Sequence, residues 1–293
     1  MSYVLNDPRT KYPTPNFNAQ QQNMPGSEDE MEPQADHGED SYQGSNKLEG
    51  LVAVITGADS GIGRAIALAY AREGADIVFT YLDEDKDAEE TKRLVRDAGR
   101  DVVAIKMNQS NREECDEVIA ECLKHFGRLD IFVNNAAFQK TYDSLENIPD
   151  EDIDYTFRTN IESFFFFSRA AIKHIQPGGS IINTTSIQAF SPTAALAPYA
   201  ATKAAIANFT ISLAEEAIKK GIRVNGVAPG PVWTPLIPST MPPEKVKSFG
   251  SNTLFERPAQ PAELAPLYVF LASEDASYIT GEIYGVTGGR KQL

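Results

Sequence analysis

Residues 51–63 read Leu51-Val52-Ala53-Val54-Ile55-Thr56-Gly57-Ala58-Asp59-Ser60-Gly61-Ile62-Gly63, and this stretch decides the fold. Residues 51–56 form a short apolar run, the pattern of a strand buried on both faces. Three glycines follow in the spacing G-x-x-x-G-x-G, and a helical pattern begins at Ile62. Gly57 allows a sharp turn out of the strand. Gly61 removes a side chain where backbone must approach an anion, and Gly63 lets the helix pack close to the sheet. The helix N-terminus offers free N–H groups and the positive end of its dipole, which suits a pyrophosphate. Any tight strand–helix turn can use glycine. The cluster gains its weight from the strand before it and the helix after it.

The alternation continues outward. Helices are predicted over 62–73, 86–98, 111–126, 151–175, 198–220 and 261–272. Strands are predicted over 76–81, 102–107, 129–134, 180–185, 222–227 and 282–287. Short apolar runs separated by helices indicate a parallel sheet covered on both faces, and right-handed crossovers make it doubly wound. The expectation is one Rossmann-type α/β domain over 48–293, plus an extended N-terminal arm. A Pro-rich stretch from 228 to 258 is expected to form a substrate lid. Its prolines prevent a long helix but allow short helical pieces.

Residues 1–47 differ in kind. They hold 11 apolar residues, five prolines, five glutamines and a net charge of −5. Such a segment cannot build a core alone. Tyr3, Tyr12, Phe17 and Tyr42 punctuate it nonetheless. A strap lying across a neighbouring subunit is expected, because 47 extended residues reach ~160 Å.

Composition excludes several function classes. The chain has 293 residues and a formal charge of −14. That sign disfavours nucleic acid and anionic membrane surfaces. No apolar run reaches the ~18 residues of a transmembrane helix. No basic flank precedes an apolar stretch at the N-terminus, so no signal peptide is expected. Cys115 and Cys122 lie in a helical pattern without metal-ligand spacing, and His37, His125 and His174 are scattered. A reduced, cytoplasmic, metal-free protein is expected.

A second constellation carries chemistry. Ser186 ends a strand, Tyr199 follows thirteen residues later, and Lys203 four after that. Tyr199 and Lys203 share a helix face. A tyrosine is a poor base at its reference pKa of ~10, and a nearby ammonium favours the phenolate. Tyr199 then serves as general acid or base, with Ser186 polarising a substrate oxygen. A surface Tyr and Lys is the ordinary reading of Y-x-x-x-K alone; Ser186 and the glycine turn, in order, displace it.

The chain from about 48 to 289 resembles the short-chain dehydrogenase/reductase family. The resemblance rests on Thr56-Gly57-x-x-x-Gly61-Ile62-Gly63, Asn134-Asn135-Ala136-Ala137, the Ser186, Tyr199, Lys203 spacing and Pro229-Gly230-Pro231-Val232-Trp233-Thr234. The acidic, Pro-rich extension is similar to a bacterial subgroup of glucose/ribitol-dehydrogenase-like or general-stress oxidoreductases. The resemblance implies NAD or NADP as cofactor, a homotetramer, and further roles. Asn160 matches an Asn that binds a water behind the Lys in a proton relay. Asn134 and Ala136 match positions that line the adenosine side and stabilise the sheet. Thr234 and the Val232 backbone match groups that hold the nicotinamide carboxamide, with Pro229 and Gly230 shaping that turn. Asp59, Ser60, Ile62, Tyr81 and Gln109 complete the expected cofactor set. Asn108 stands near where the family commonly has an Asp for adenine, and its amide oxygen can accept.

Tyr81 occupies the end of the second strand, where an acid would select the ribose 2′-OH. No Arg or Lys stands at Ser60, Tyr81 or Leu82, while Asp83, Glu84 and Asp85 make the corner negative. NAD is therefore favoured over NADP. Hydride transfer between the nicotinamide and an alcohol or carbonyl carbon is the expected reaction. Phe138, Gln139, Gln188, Phe190 and Trp233 are expected to face a sugar, polyol or small ketone. A catalytically idle cofactor-binding regulator and a stress-associated structural protein are the alternatives; the intact Ser186, Tyr199, Lys203 and Asn160 set argues against the former. Enoyl reductases of the superfamily place the Lys further from the Tyr. Phe164 to Phe167 sweep ~300° of a helix, so one of them is expected to meet another subunit.

Overall fold

The apolar runs pair into seven parallel strands. The computed structural model describes residues 5–290. The strands are β1 (Val52–Ile55), β2 (Asp76–Tyr81), β3 (Val102–Lys106), β4 (Ile131–Asn134), β5 (Ser180–Thr184), β6 (Arg223–Pro229) and β7 (Ile283–Val286). Their order across the sheet is β3-β2-β1-β4-β5-β6-β7. Every registered pair is parallel, with Val54 opposite Val78 on one side and Phe132 on the other.

Successive strand residues point to opposite faces, and each face has its own helices. Ala53 and Ile55 face α1 (Gly61–Arg72), with α2 (Asp85–Asp97) alongside. Val52 and Val54 face α3 (Arg112–Phe126) on the other side. Chain direction across the sheet reverses between β1 and β4. The crevice beyond their carboxyl ends is where such sheets bind ligands, and both the glycine turn and the segment after β4 open there.

The predicted helix 151–175 is divided. It runs as α4 (Asp150–Phe157), a π-helical turn over Arg158–Glu162, and α5 (Ser163–Ala171). The Asn160 side chain accepts from the Phe138 amide at 2.7 Å and donates to the Phe138 carbonyl at 2.8 Å. That clamp ties the wide turn to the loop after β4. The predicted helix 198–220 is α6 (Ala197–Ala217), finished by a 3-10 turn to Lys220. The Pro-rich stretch contains two five-residue helices, α7 (Leu236–Thr240) and α8 (Pro243–Lys247), and α9 (Ala265–Ala272) follows it.

Residues 1–47 are expected to strap across a neighbouring subunit; in this single chain the described part of the arm packs on its own subunit's surface. It contains no strand or α-helix, only a 3-10 turn at Glu28–Glu30. Extended backbone leaves its N–H and C=O groups to be satisfied elsewhere, and the segment 228–258 satisfies several. Asn16 and Phe17 donate to the Lys247 carbonyl, Gln22 to Pro238, and the Trp233 indole to Pro33 at 2.8 Å. Phe17 packs on fully buried Trp233 with ring centroids 4.3 Å apart. Further along, Arg72 of α1 holds the carbonyls of Gly38 and Tyr42, and Tyr42 donates to Glu73.

The arm also buries an ionic pair. His37 Nε2 lies 2.8 Å from Glu28, and Nδ1 lies 3.0 Å from Glu39. Burial alone would push His37 down; the two carboxylates overcome that, against the like charge of nearby Arg64, and hold it at about 9. Glu39 is held down at about 2, its contacts with His37 outweighing burial. Asp87 of α2 borders this cluster, accepting from the Glu28 amide and Arg64. A histidine raised on folding stabilises fully below its unfolded value of ~6.5 and loses that contribution as pH rises through its folded value. The lowered carboxylates contribute above ~4.3 and fail as pH falls toward the acid limit. Trp233, the only tryptophan, reports the docked arm directly. Its emission is expected to shift to the red as pH climbs from neutrality through about 9, before global unfolding. Emission unchanged across that interval would show that the His37 pair does not hold the arm.

Candidate active site

The glycine turn works by close approach. A Cβ on Gly63 would fall 2.0 Å from the Gly57 carbonyl oxygen, so α1 can lie this near the turn only without a side chain there. Gly57 has φ +62°, and a Cβ on it would meet Ala136 at 2.7 Å. Gly61 has φ +52° and faces Thr234. Asn135 locks the turn to β4, donating to the carbonyls of Thr56 and Gly57. The Ser60 side chain caps nothing; the first amide of α1, that of Gly61, donates instead to the Glu28 carboxylate of the arm at 2.7 Å.

A cavity of about 900 Å³ opens at the carboxyl ends of the strands. Gly57, Asp59, Ser60, Gly61 and Ile62 line one end with Tyr81, Asn108 and Gln109. Ala136, Phe138 and Gln139 follow after β4. Ser186, Gln188, Tyr199 and Lys203 line the far side, and Pro229, Gly230, Val232 and Thr234 close it. Gly63 lies behind this lining, in its packing role.

Burial sets the chemistry of the far side. Lys203 is 1% exposed, and its ammonium donates to the Thr184 carbonyl at 2.9 Å. Its Nζ sits 5.4 Å from the Tyr199 ring centroid. Desolvation pulls Lys203 down to about 7. Tyr199 is pushed up to about 12 by burial, with the Ser186 hydroxyl pulling in the other direction. Desolvation thus opposes the phenolate expected from the nearby ammonium. Ser186 Oγ accepts from the Gln188 amide at 3.1 Å, and its hydroxyl faces the Tyr199 oxygen.

Several expected roles change. Trp233 does not face the cavity; its indole is spent on the arm. Phe190 also lies outside the lining. Asn134 does not line the adenosine side, because its amide is buried against Ser168 and Asn183. Asn108 already accepts from the amide and the hydroxyl of Ser110, so both amide lone pairs are engaged. Gln109 ties the Ala136 carbonyl to the Thr159 carbonyl released by the π turn. Asn160 reaches the site through Phe138 and Thr202 rather than by lining it.

At the opposite end, Glu84 joins Asp59 and Tyr81 in the lining. Burial pushes Asp59 up to about 7, reinforced by Glu84, and raises Glu84 as well. Lys106, the nearest cation on β3, is paired with Asp83 at 2.7 Å and Asp85 at 3.1 Å. Sequence reasoning missed Glu84 as a lining group, together with Thr184 and Met24, Pro25 and Gly26 of the arm. No spacing in the arm marked it as part of a cavity.

The cavity's two ends fit one elongated ligand: an anion cradle at the glycine turn and a buried acid, ammonium and hydroxyl at the other. Residues 57–291 match a family described as enoyl-(acyl carrier protein) reductase. An uncharacterized oxidoreductase of Bacillus subtilis, YhdF, is 50% identical over 270 residues, covering 92% of this chain and 93% of that one. A protein of Daucus carota named glucose and ribitol dehydrogenase is 47% identical over 275 residues, covering 92% and 94%. Among solved structures, a short chain dehydrogenase from Burkholderia cenocepacia in complex with NADP is 31% identical. It superposes with a TM-score of 0.78 over 83% of this chain and 98% of that one.

Proposed function

The chain belongs to the short-chain dehydrogenase/reductase family, and from that premise we propose that it interconverts a sugar, polyol or small carbonyl compound and its oxidation partner, with Tyr199 moving the proton. It is an NAD(P)-dependent oxidoreductase acting on alcohol and carbonyl groups. The observation that carries the assignment of roles is the convergence of Ser186, Tyr199 and Lys203 on the cavity that the glycine turn opens.

The dinucleotide fits the donor set: the cradle excludes side chains by contact, and the α1 terminus beyond the Gly61 amide, which Glu28 holds, suits a pyrophosphate. Bound, it gives or takes the hydride. In reduction Tyr199 gives its phenolic proton to the substrate oxygen, while Ser186 donates a hydrogen bond to that oxygen as charge develops. In oxidation Tyr199 must be a base. Burial opposes this, so positive charge from Lys203 and from the oxidised nicotinamide ring has to lower it. Lys203 keeps two N–H groups beyond the one given to Thr184, and these suit ribose hydroxyls. The Asn160 side chain is spent on Phe138 and Thr202, so a relay water behind Lys203 would bind its main-chain carbonyl. Phe138, Gln139 and Gln188 offer an apolar wall with amides, which suits a hydroxylated substrate. The segment 228–258 is the lid. Buried free thiols at Cys115 and Cys122 suit a reducing, cytoplasmic setting.

Replacing Tyr199 by Phe is expected to cut turnover by about 10²–10⁴-fold, with dinucleotide affinity nearly kept, measured by steady-state rates and fluorescence titration with a panel of sugars and aldehydes. A loss under tenfold would remove Tyr199 from the role of proton carrier.

Cofactor choice follows from charge. Asp59 and Glu84 line the ribose end, and Lys106 of β3 is already paired with Asp83 and Asp85, so a 2′-phosphate there would meet like charge. This supports NAD(H) over NADP(H). The Burkholderia protein is an NADP complex, so the two must be compared directly. The expected result is a higher kcat/KM with NADH than with NADPH; the reverse order would overturn the preference.

A homotetramer is the proposed assembly. Phe164 and Phe167 point into the core, while Phe165 is 50% exposed beside Phe209 and Ile211 of α6 is 55% exposed. This apolar stripe supports a helix-to-helix subunit contact. Sedimentation at micromolar concentration is expected to give four copies, and a monomer would refute it.

A further inference from the structure

The arm crosses the cofactor cleft. Near the lid, Gln22 donates to the Pro238 carbonyl at 3.0 Å, and Ser239 Oγ donates to the Pro25 carbonyl at 3.1 Å. Gly26 has φ +93° and lies so close to the lid that a Cβ would sit 2.7 Å from the Pro235 carbonyl oxygen. The Ser27 amide returns to Gln22 Oε1 at 2.7 Å, closing a tight turn. One residue later, Glu28 reaches the opposite wall. Its Oε1 accepts from the Gly61 amide, the first of α1, at 2.7 Å. Its own amide donates to Asp87 of α2 at 3.0 Å. Between these two anchorages, Met24, Pro25 and Gly26 line the cavity itself.

Three features make this more than a surface strap. Glu28 is 2% exposed, so its charge is placed at the cost of desolvation and must be compensated. Compensation comes from the arm, through His37, and from the Gly61 amide. The amide it holds belongs to the residue on which the cradle turns. Glu28 Oε2 is buried with no partner, so the carboxylate is placed for this contact and not for a fully satisfied structural network.

We propose that residues 22–28 form a clasp over the dinucleotide site, and that Glu28 is a positioning residue for the cofactor turn. The clasp rests on the reading of the cavity as a dinucleotide site. It fixes the direction of the Gly61 amide and holds the lid against the cradle. The dinucleotide must then displace the lid–arm contacts to leave, so its release is slowed. The arm acts on cofactor exchange within its own subunit, and its charge cluster and the cradle open together.

Two full-length substitutions test opposite anchorages. Glu28→Ala removes the acceptor from the Gly61 amide. Gly26→Ala places a Cβ against the Pro235 carbonyl and disfavours φ above zero. Thermal melts establish that each variant folds. Stopped-flow displacement of bound NADH and NADPH reads the release rate, and KM for dinucleotide is compared with kcat. Each variant is expected to release dinucleotide about tenfold faster, which for Glu28→Ala is the scale of one lost charge-assisted hydrogen bond, with KM for dinucleotide rising more than kcat changes. Glu28→Gln, which keeps an acceptor oxygen, is expected to recover part of the slow release. Folded variants that release both dinucleotides at the wild-type rate would overturn the clasp alone. A wild-type protein that binds neither dinucleotide would overturn the clasp together with the reading of the site beneath it.

Discussion

Main-chain contact at the turn between β1 and α1 is the constraint on which the rest of the structure depends. The Gly57 carbonyl lies where a Cβ on Gly63 would be, so helix and turn are in atomic contact. Only that proximity brings the first amides of α1 over the edge of the sheet. Asn135 of the neighbouring segment hydrogen-bonds the same turn, so the β1–β4 reversal and the cradle are built as one unit. Parallel strands buried on both faces supply a rigid base for it. Everything that touches the cavity is referenced to this unit: Ala136 by contact with Gly57, Thr234 by contact with Gly61, and the arm through Glu28.

Burial opposes charge at both ends of the cavity. At the proton-transfer end it opposes charge on both Tyr199 and Lys203. The phenol is therefore held in its protonated form. At the ribose end burial raises Asp59 and Glu84, and the Glu84 charge adds to the rise of Asp59. Both ends thus hold groups whose protonation answers to the charge of whatever lies between them.

The sheet was legible because a buried parallel strand has a plain signature, an apolar run of four to seven residues, and the glycine spacing supplied the register. Ser186, Tyr199 and Lys203 were legible because strand end and helical period fix their meeting place. The division of the 151–175 segment was not. A π turn leaves the apolar periodicity nearly intact, and its cause is Asn160 binding the backbone of Phe138, 22 residues away in sequence. Trp233 was misassigned for a similar reason. It sits in a motif that lines the cavity, yet its ring turns outward to Phe17, a partner 216 residues away that no local pattern indicates. Asn108 looked like an acceptor for adenine, but a hydrogen bond to Ser110 two residues on uses the same oxygen.

The arm shows where composition and chemistry part. Its low apolar content correctly excludes an independent core, since the described arm takes almost all its order from the surface beneath. The same content said nothing of which surface. Glu28-Asp29-Glu30 reads in sequence as a solvated acidic run, and Asp29 is indeed paired with Lys86 on the exterior. Glu28 differs from it by one residue and is buried, because a single 3-10 turn rotates it toward α1. Nothing in the run distinguishes the two carboxylates; the distinction is made by His37, nine residues later, and by Gly61, which offers an amide without a side chain in the way. A charged residue becomes part of a site when two groups distant in sequence both need it. That double requirement, more than any property of the arm itself, turns an extended segment into a wall of the cavity.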